Sequence, residues 1–314
     1  MGHIIQYNVT GPAANKCFNF IYSFHMGFFF FISGLTASLS IDNNTWENSL
    51  SFIRKKARQL ILPFFVWGGL ISLISMGSGV EDFPHRLLSI IKNPCDNAPW
   101  FLCELFVIQI VFFVFCAITS NKVGKYALPF SLILSIPAIV LLLELKKSLI
   151  GLGYSWITPQ YLFMFILGVF VKLKQLKHNL EKVLSVVSLL VFIVVVPFFD
   201  FNMENSLRRE IIKLIVSISF SICAYFTIKN SYHILVKQVT SFVNYLGSHT
   251  LEIYVTHFYV IKISVLPWII TNGINSFPLF LIVLLVSLPV SYLVIQVSNA
   301  FKLIPTLSLL LYGK

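Results

Sequence analysis

The sequence Phe-His-Met-Gly-Phe-Phe-Phe-Phe-Ile-Ser-Gly occupies residues 24–34, and Ile-Tyr-Val-Thr-His occupies residues 253–257. Each stretch places a histidine in an apolar run that is long enough to cross a lipid bilayer. An ionisable side chain at that depth costs free energy, so it usually faces the protein interior and serves a function. The two stretches therefore predict a membrane protein whose working groups lie inside a helix bundle.

The composition also favours a membrane protein. Of the 314 residues, 57% are hydrophobic and only 11% are charged, whereas soluble domains carry about 25% charged residues. The formal net charge is +11, but Lys and Arg fall in short clusters between apolar segments, which is typical of membrane topology. This distribution argues against a nucleic-acid-binding protein.

Apolar segments of about 20 residues, the length that spans a bilayer as a helix, divide the whole chain. The longest connector, 78–99, is too short for a soluble domain. We therefore predict an all-α fold, a polytopic membrane helix bundle of about nine transmembrane helices that forms a single integral membrane domain over 1–314. The predicted segments are 20–40, 59–77, 100–119, 126–143, 156–171, 183–199, 210–228, 250–270 and 277–297.

The distribution of Lys and Arg predicts the orientation of the bundle. Alternate connectors (41–58, 120–125, 172–182 and 229–249), together with the residues after 297, hold 14 Lys and Arg residues, and the opposite set holds eight. Cytoplasmic connectors carry the excess of positive charge. We therefore expect the C-terminus on the cytoplasmic side and residues 1–19 outside.

Six short motifs occur along the chain. They are Gly2-His3, the stretch 24–34, the basic stretch 52–64, Trp100-Phe101-Leu102, the stretch 161–168 and the stretch 246–257. Their sequences and order resemble the integral membrane acyltransferase-3 family, whose members often O-acetylate cell-surface and secreted glycans. The stretch 24–34 matches the family motif Phe-His-Met-Pro-x-Phe-Phe-x-x-Ser-Gly except that Gly27 replaces the proline.

The resemblance also implies a helix before the first motif. Relatives usually have ten spans and a basic residue well before the histidine that corresponds to His3, at a position that would precede Met1. We therefore expect that most of the first transmembrane helix is missing from the sequence. A misassigned start, a truncated gene and a variant that works without this helix are the three explanations.

The resemblance implies that His3 and His25 act on the acceptor, as bases or positioning groups. A sugar hydroxyl is a poor nucleophile until a base takes its proton, and a histidine does so near neutral pH without a large pKa shift. The predicted topology puts both side chains at the outer ends of their helices, close together if these helices pair. The alternatives are a disordered terminal residue for His3 and an interfacial histidine for His25.

Four further residues are predicted to line a cavity: Trp100, Glu104, Tyr254 and His257. Tyr254 precedes His257 by one helical turn and Glu104 follows Trp100 by one turn, so each pair shares a helix face. The tryptophan ring offers a stacking surface for a sugar, and the carboxylate can bind hydroxyl groups. The alternatives are a hydrogen-bonded core histidine and a glutamate bonded between helices. Glu252 lies near the cytoplasmic end of its segment, where contact with water accounts for its charge.

Arg54 and Arg58 are predicted to bind the donor. With Lys55 and Lys56 they form a basic cluster at the cytoplasmic end of a span, and the two arginines share a helix face. Acetyl-CoA is made in the cytoplasm, and guanidinium groups bind its phosphates well. Ordinary positive-inside anchoring explains the same residues without a ligand. With the acceptor outside, the long pantetheine arm is the expected carrier of the acyl group across the bilayer.

We interpret the sequence as a membrane-embedded acyltransferase that moves an acyl group, expected to be acetyl, from acyl-CoA to a hydroxyl of a cell-surface or secreted glycan. Its expected partners are acyl-CoA, a glycan or lipid-linked sugar, and membrane lipid, without nucleic acid. Its expected location is the bacterial inner (plasma) membrane, as a multi-pass protein.

We expect no bound cofactor and no metal, because the sequence has no HExxH or CxxC spacing. Two other functions stay open at this point. A transporter or flippase of lipid-linked sugars also needs many spans, although the repeated halves typical of carriers are not visible in the sequence. The third alternative is an inactive, truncated member of the family.

Overall fold

A computed structural model describes residues 1–10, 12–38, 46–75, 88, 90, 99–118, 158–174, 176–202, 207–232, 236–263, 269–270 and 276–314. These residues are almost entirely helical, which confirms the predicted all-α class. The exception among them is a pair of two-residue strands, β1 (Val9–Thr10) and β2 (Ile269–Ile270), which run parallel with Val9 opposite Ile269.

Helices occupy many of the predicted apolar segments, and two further helices, Trp46–Lys56 and Lys237–Ser248, lie in the predicted connectors 41–58 and 229–249. Those of the first part are α1 (Gly2–Asn8), α2 (Pro12–Tyr22), α3 (His25–Ala37), α4 (Trp46–Lys56), α5 (Leu62–Ser75) and α6 (Trp100–Ile118), with a π-helical turn (Ala57–Ile61) before α5. Those of the second part are α7 (Pro159–Leu173), α8 (His178–Val195), α9 (Leu207–Ser231), α10 (Lys237–Ser248), α11 (Thr250–Ile263), α12 (Ser276–Lys302) and α13 (Pro305–Tyr312). The predicted segment 126–143 lies outside the described residues.

Four helical stretches are long and apolar enough to cross a membrane: Ala13–Ala37, His178–Phe198, Arg208–Ser231 and Ser276–Lys302. Two shorter apolar helices, Trp100–Phe113 and Gln160–Leu173, accompany them. These helices indicate a multi-pass membrane protein. The count of about nine spans and the cytoplasmic C-terminus stay predictions.

Helix α8 shows how the sequence suits a lipid environment. Val183, Val186, Leu190 and Val194 lie three or four residues apart on one face, and each side chain is more than half exposed, at 57%, 58%, 58% and 64%. A continuous apolar face of this kind is unfavourable in water and is typical of a surface that contacts lipid.

The described chain divides into two compact units. The first unit comprises Met1–Phe28 and Leu176–Leu303, and the second comprises Phe29–Gln175 and Ile304–Lys314. Helix α3 contributes to both, since the boundary falls between Phe28 and Phe29. The prediction of one membrane domain over 1–314 is not tested by this division and stays a prediction.

In the first unit, α1, α2 and α12 share one hydrophobic core. Its buried members are Ile4, Ile5, Val9, Ala13, Ala14, Cys17, Ile21, Leu279 and Val283. Helices α8 and α9 pack against each other and add polar contacts. The Nζ of Lys229 lies 2.5 Å from Oε1 of Glu181, and the hydroxyls of Ser185 and Thr227 lie 2.8 Å apart. Such contacts between apolar helices stabilise their pairing in lipid.

A break between α2 and α3 determines where His25 lies. Ser23 and Phe24 form a turn, and α3 begins at His25. The main-chain carbonyl of Ser23 accepts a hydrogen bond from the hydroxyl of Ser217 in α9 at 3.1 Å. Backbone groups released by a helix break need such partners inside a membrane protein. The break therefore has a fixed geometry, and His25 opens a new helix at a defined point.

In the second unit, two glycines bring α3 and α7 into close contact. A Cβ added to Gly34 would lie 1.9 Å from the carbonyl oxygen of Phe165, and one added to Gly168 would lie 2.0 Å from the carbonyl oxygen of Phe31. No other residue type allows two helix backbones to approach this closely, and small residues are used in this way in membrane helices. The two glycines therefore set the distance between α3 and α7.

Candidate functional site

In the first unit, hydrogen-bonded and stacked side chains connect α1 to the start of α3. The Nδ1 of His3 lies 3.0 Å from Oε1 of Gln6. The hydroxyl of Tyr22 donates to the same oxygen at 3.4 Å. The ring of Tyr22 meets the ring of His25 edge to face, with 4.6 Å between the ring centroids. The two histidines predicted to act on the acceptor are thus linked through Gln6 and Tyr22.

Helix α11 brings a third histidine to the same place. The ring of His257 lies 5.2 Å from the ring of His3, centroid to centroid. The ring of Tyr254 lies 6.3 Å from the ring of His257, as expected for residues one turn apart. We call this group the histidine cluster, and its members are His3, Gln6, Tyr22, His25, Tyr254 and His257.

Hydrogen bonds fix the tautomer of each histidine in the cluster. The Nδ1 of His25 lies 3.0 Å from the carbonyl oxygen of Ile21, and the Nδ1 of His257 lies 2.7 Å from that of Ile253. The Nδ1 of His3 faces the amide oxygen of Gln6. Because an oxygen acceptor requires an N–H donor, Nδ1 carries the proton in each neutral ring and Nε2 carries the lone pair. All three rings are therefore held in the tautomer in which Nε2 can act as a base.

Burial affects the protonation of His3, which lies outside the candidate spans. Loss of water around the ring lowers the pKa of His3, and the hydrogen bond to Gln6 partly opposes this shift. A lowered pKa keeps the imidazole neutral near pH 7, and a general base must be neutral to accept a proton.

Two members of the histidine cluster, Gln6 and Tyr22, were not predicted from the sequence. Gln6 follows His3 by three residues within α1, a spacing that places both on one helix face. That spacing could have identified Gln6 as a neighbour of His3. Tyr22 also lies three residues from a histidine, His25, but the break at Ser23 and Phe24 separates them. Helical periodicity therefore gives no reason to pair Tyr22 with His25.

Glu252 does not contact water, and the expectation for this residue was wrong. Its side chain is fully buried, and its Oε1 lies 2.6 Å from the Nζ of Lys302. Helix α12 extends to Lys302, past the predicted end of the segment at 297, and this brings the ammonium group to the carboxylate. One turn away on each helix, the hydroxyls of Thr256 and Ser298 lie 3.4 Å apart. The two polar pairs hold α11, which carries His257, against α12.

Trp100 and Glu104 lie at the start of α6 in the second unit. Glu104 is buried and accepts a hydrogen bond from the main-chain N–H of Thr158, the N-cap residue of α7. A carboxylate is well placed there because the N-terminus of a helix carries partial positive charge. The ring of Trp100 stacks on that of Tyr161 in α7, with 5.7 Å between centroids. Glu104 therefore bonds between helices, which is the structural alternative to a cavity role. The cavity roles of Trp100 and Glu104 stay predictions.

Arg54 and Arg58 also belong to the second unit, at the junction of α4 and the π-helical turn. Both side chains are exposed, so their guanidinium groups are accessible to an anion. The structure therefore brings together His3, His25, Tyr254 and His257, and it places Arg54, Arg58, Trp100 and Glu104 in the other unit.

In the part of the chain that the structure describes, no group of three His, Cys, Asp or Glu side chains is arranged to hold a metal ion. The histidine cluster combines its imidazoles with a glutamine amide and tyrosine hydroxyls. Such a set of groups is suited to proton transfer and to hydrogen bonding with a polar substrate.

Comparison with known protein families gives a match over most of the chain. The family model described as an acyltransferase domain, that of the acyltransferase-3 family, covers residues 1–296. This range includes every predicted site residue, from His3 to His257. No curated protein and no solved structure matches the chain. The family match confirms the resemblance found in the motifs: this chain belongs to the acyltransferase-3 family, a family of membrane acyltransferases.

Proposed function

We propose that the protein is an O-acyltransferase that moves an acyl group from acyl-CoA to a hydroxyl of a cell-surface or secreted glycan, and that this acyl group is acetyl. The family match supports membrane acyl transfer. The observation that carries the finer proposal is the histidine cluster, in which three imidazoles share the tautomer that leaves Nε2 as the basic atom.

The proposed reaction begins with removal of a proton from the acceptor. Nε2 of His25 or His3 takes the hydroxyl proton as the sugar oxygen attacks the carbonyl carbon of the thioester. The C–S bond then breaks, the new ester remains on the sugar, and the CoA sulfur leaves as a thiol with the proton that Nε2 took up, which returns the histidine to its neutral form. Hydrogen bonding of Nδ1 to Ile21 or Gln6 supports the imidazolium that forms in the first step, because Nδ1–H is already paired with an oxygen.

The donor is proposed to bind through its phosphates. Arg54 and Arg58 present exposed guanidinium groups, and these recognise phosphate by paired, charge-assisted hydrogen bonds. Positive-inside anchoring is the competing interpretation, and it predicts that substitution of either arginine leaves the Michaelis constant for the donor unchanged.

Tyr254 and His257 are proposed to contact the acceptor in the first unit, and Trp100 is the residue of the second unit proposed to stack on a sugar ring. The half-buried ring of Trp100 has one side against Tyr161 and is of a type that stacks on sugar rings. Glu104 is proposed to position this surface, since it ties α6 to the start of α7 through Thr158.

The proposal is tested by transfer of labelled acetyl. Membranes that contain the chain are incubated with acetyl-labelled acetyl-CoA and cell-surface glycan, beside membranes with His3→Ala and membranes from an empty vector. We expect label in the glycan with the wild-type chain alone, and alkaline hydrolysis of the ester should release it. If a folded, inserted chain transfers no label, acyl transfer from acetyl-CoA is excluded. Movement of a labelled lipid-linked sugar across the same membranes would then support a flippase.

A further inference from the structure

The second unit contains a cavity that the proposed reaction has not yet used. It has a volume of about 110 Å³, and we call it the aromatic cavity. Its lining residues are Thr36, Ala37, Phe52, Lys56, Gln109, Phe112 and Phe113. Thr36 is exposed, whereas Gln109, Phe112 and Phe113 are buried. The cavity therefore extends from the surface of the unit towards its interior.

Gln109 gives the aromatic cavity a specific chemical requirement. Only 8% of the residue is exposed, and its Oε1 accepts no hydrogen bond from any residue that the structure describes. A buried amide oxygen without a donor costs free energy comparable to a lost hydrogen bond. A ligand that supplies an N–H or O–H at this point would remove that cost.

Lys56 supplies the opposite requirement. Its Nζ lies 5.6 Å from the centroid of the Phe52 ring, which in turn stacks on Phe113 at 4.4 Å. Burial lowers the pKa of Lys56, and the neighbouring Lys55 adds to the shift. An ammonium group is a donor and has no acceptor capacity. The ligand should therefore offer an acceptor oxygen to Lys56 as well as a donor to Gln109.

A secondary amide meets both requirements in one group. Its N–H can donate to Oε1 of Gln109, and its C=O can accept from Nζ of Lys56. The methylene groups on either side of an amide suit the faces of Phe52, Phe112 and Phe113. One water occupies about 30 Å³ in the liquid, so a cavity of this size has room for a short chain of several heavy atoms. A fully ionised phosphate lacks the donor that Gln109 requires and gains nothing from three phenyl rings.

We propose that the aromatic cavity binds the pantetheine arm of the acyl-CoA donor, with one of its two secondary amides between Gln109 and Lys56. This inference rests on the proposed function, because the arm belongs to that donor. It assigns two different tasks within the second unit. Arg54 and Arg58 hold the phosphates of the nucleotide, whereas Gln109 and Lys56 hold the amide-bearing chain that ends in the thioester.

Two donors separate these tasks. The first is acetyl-CoA, and the second is S-acetylpantetheine, which carries both amides but lacks the nucleotide and its phosphates. Transfer is measured with the purified full-length chain for wild type, Gln109→Leu, Gln109→Glu and Arg54→Gln. The Michaelis constants for donor and acceptor are determined separately.

For Gln109→Leu we expect the Michaelis constant to rise about tenfold for both donors, the usual size of one lost hydrogen bond. The constant for the acceptor should not change. In Gln109→Glu a carboxylate would compete with the ligand carbonyl for the ammonium of Lys56, so the Michaelis constant should rise for both donors in this variant as well. Arg54→Gln should weaken acetyl-CoA and leave S-acetylpantetheine as in wild type.

Thermal unfolding separates binding from folding. Leucine removes a buried acceptor that has no donor, so Gln109→Leu should fold at least as stably as wild type. An unchanged Michaelis constant for both donors in a folded Gln109→Leu protein would overturn the inference and leave the proposed function intact. If the Leu variant does not fold, Lys56→Met decides in the same assay, with a rise for both donors expected and no rise contradicting the inference. A wild-type chain that uses neither donor would overturn both the inference and the proposed function.

Discussion

The histidine cluster of the first unit and the aromatic cavity of the second unit use polar groups in opposite ways. In the cluster, every imidazole Nδ1 already has an oxygen acceptor, at distances from 2.7 to 3.0 Å. In the cavity, a buried glutamine keeps an amide oxygen that no described residue satisfies. A completed network fixes where protons lie, whereas an incomplete one favours a ligand that completes it. The first region is suited to moving a proton, and the second to holding a molecule.

This contrast gives the two regions different kinetic signatures. Changes in the histidine cluster should lower the rate constant of transfer or shift its pH dependence. Changes in the aromatic cavity should raise the Michaelis constant for the donor. Changes in the helix contacts that support either region should lower the stability of the fold.

The largest effect is expected from a substitution that disturbs the helix packing of the second unit, which contains the aromatic cavity. Gly168→Leu places a side chain where a Cβ alone would lie 2.0 Å from the carbonyl oxygen of Phe31. Overpacking costs about 1–3 kcal/mol where side chains can adjust, and here a helix backbone would have to move. We expect no folded, monodisperse protein in detergent.

Gly247→Leu is the matched control for Gly168→Leu. A Cβ added to Gly247 meets no atom within 4 Å. This variant should be purified in the same yield as wild type and should unfold at a similar temperature. Equal stability of the Gly168→Leu and Gly247→Leu variants would show that the close contact between α3 and α7 does not exist.

A smaller effect is expected from the ion pair that supports the first region. Lys302→Met leaves the fully buried carboxylate of Glu252 without the ammonium group at 2.6 Å. Removing one partner of a buried pair destabilises proteins by about 3–5 kcal/mol. We therefore expect a clear fall in unfolding temperature, measured in detergent with the purified chain.

The control for Lys302→Met is Lys237→Met, because Lys237 is an exposed lysine of α10. Its replacement should change the free energy of unfolding by less than about 0.5 kcal/mol. A Lys302→Met protein as stable as the Lys237→Met protein would mean that the carboxylate of Glu252 contacts water, as the sequence alone suggested.

The smallest expected effect is a shift in the pH dependence of activity, caused by a substitution in the histidine cluster. In Gln6→Leu the hydrogen bond that raises the pKa of His3 is lost, and burial then lowers that pKa further. A base works only when neutral, so activity falls as the pH drops through its pKa. The acid limb of kcat/KM should therefore move to lower pH in Gln6→Leu. A limb that moves to higher pH would contradict the hydrogen bond between His3 and Gln6, and an unmoved limb would show that His3 does not titrate in the reaction.

Much of the fold follows from apolar runs in the sequence. The predicted segments 100–119 and 277–297 correspond to Trp100–Ile118 and Ser276–Lys302, because a bilayer-length run of apolar residues has no stable alternative to a helix in lipid. The helix break at Ser23 and Phe24 was not predicted. It depends on Ser217, which lies far away in the sequence and bonds to the carbonyl of Ser23.

The candidate site was predicted only in part, for a related reason. Histidines in apolar runs are conspicuous, since their cost in a membrane is high. Gln6, Tyr22 and Gln109 carry no such signal because each is common in ordinary helices. Their roles arise from contacts between segments, such as the shared hydrogen bond at Gln6. The partner of Glu252 was missed because the end of α12 was placed too early.

The central claim, that the histidine cluster transfers the proton in catalysis, is tested most directly by comparing His25→Ala with His249→Ala. His249 has a similar local setting, with Nδ1 2.8 Å from the carbonyl of Tyr245 and a tyrosine ring at 4.6 Å, but it is the C-cap residue of α10 and lies outside the cluster. The measurement is kcat for acetyl transfer from acetyl-CoA by the purified, folded variants.

We predict that His25→Ala lowers kcat by about 10²- to 10⁴-fold, the usual contribution of a general base, with the Michaelis constant for acetyl-CoA unchanged. His249→Ala should retain the wild-type kcat. A His25→Ala protein as active as His249→Ala would exclude His25 as the base. The same activity in the His3→Ala/His25→Ala double variant would contradict the claim, and it would mean that the histidine cluster is a packing feature of the first unit.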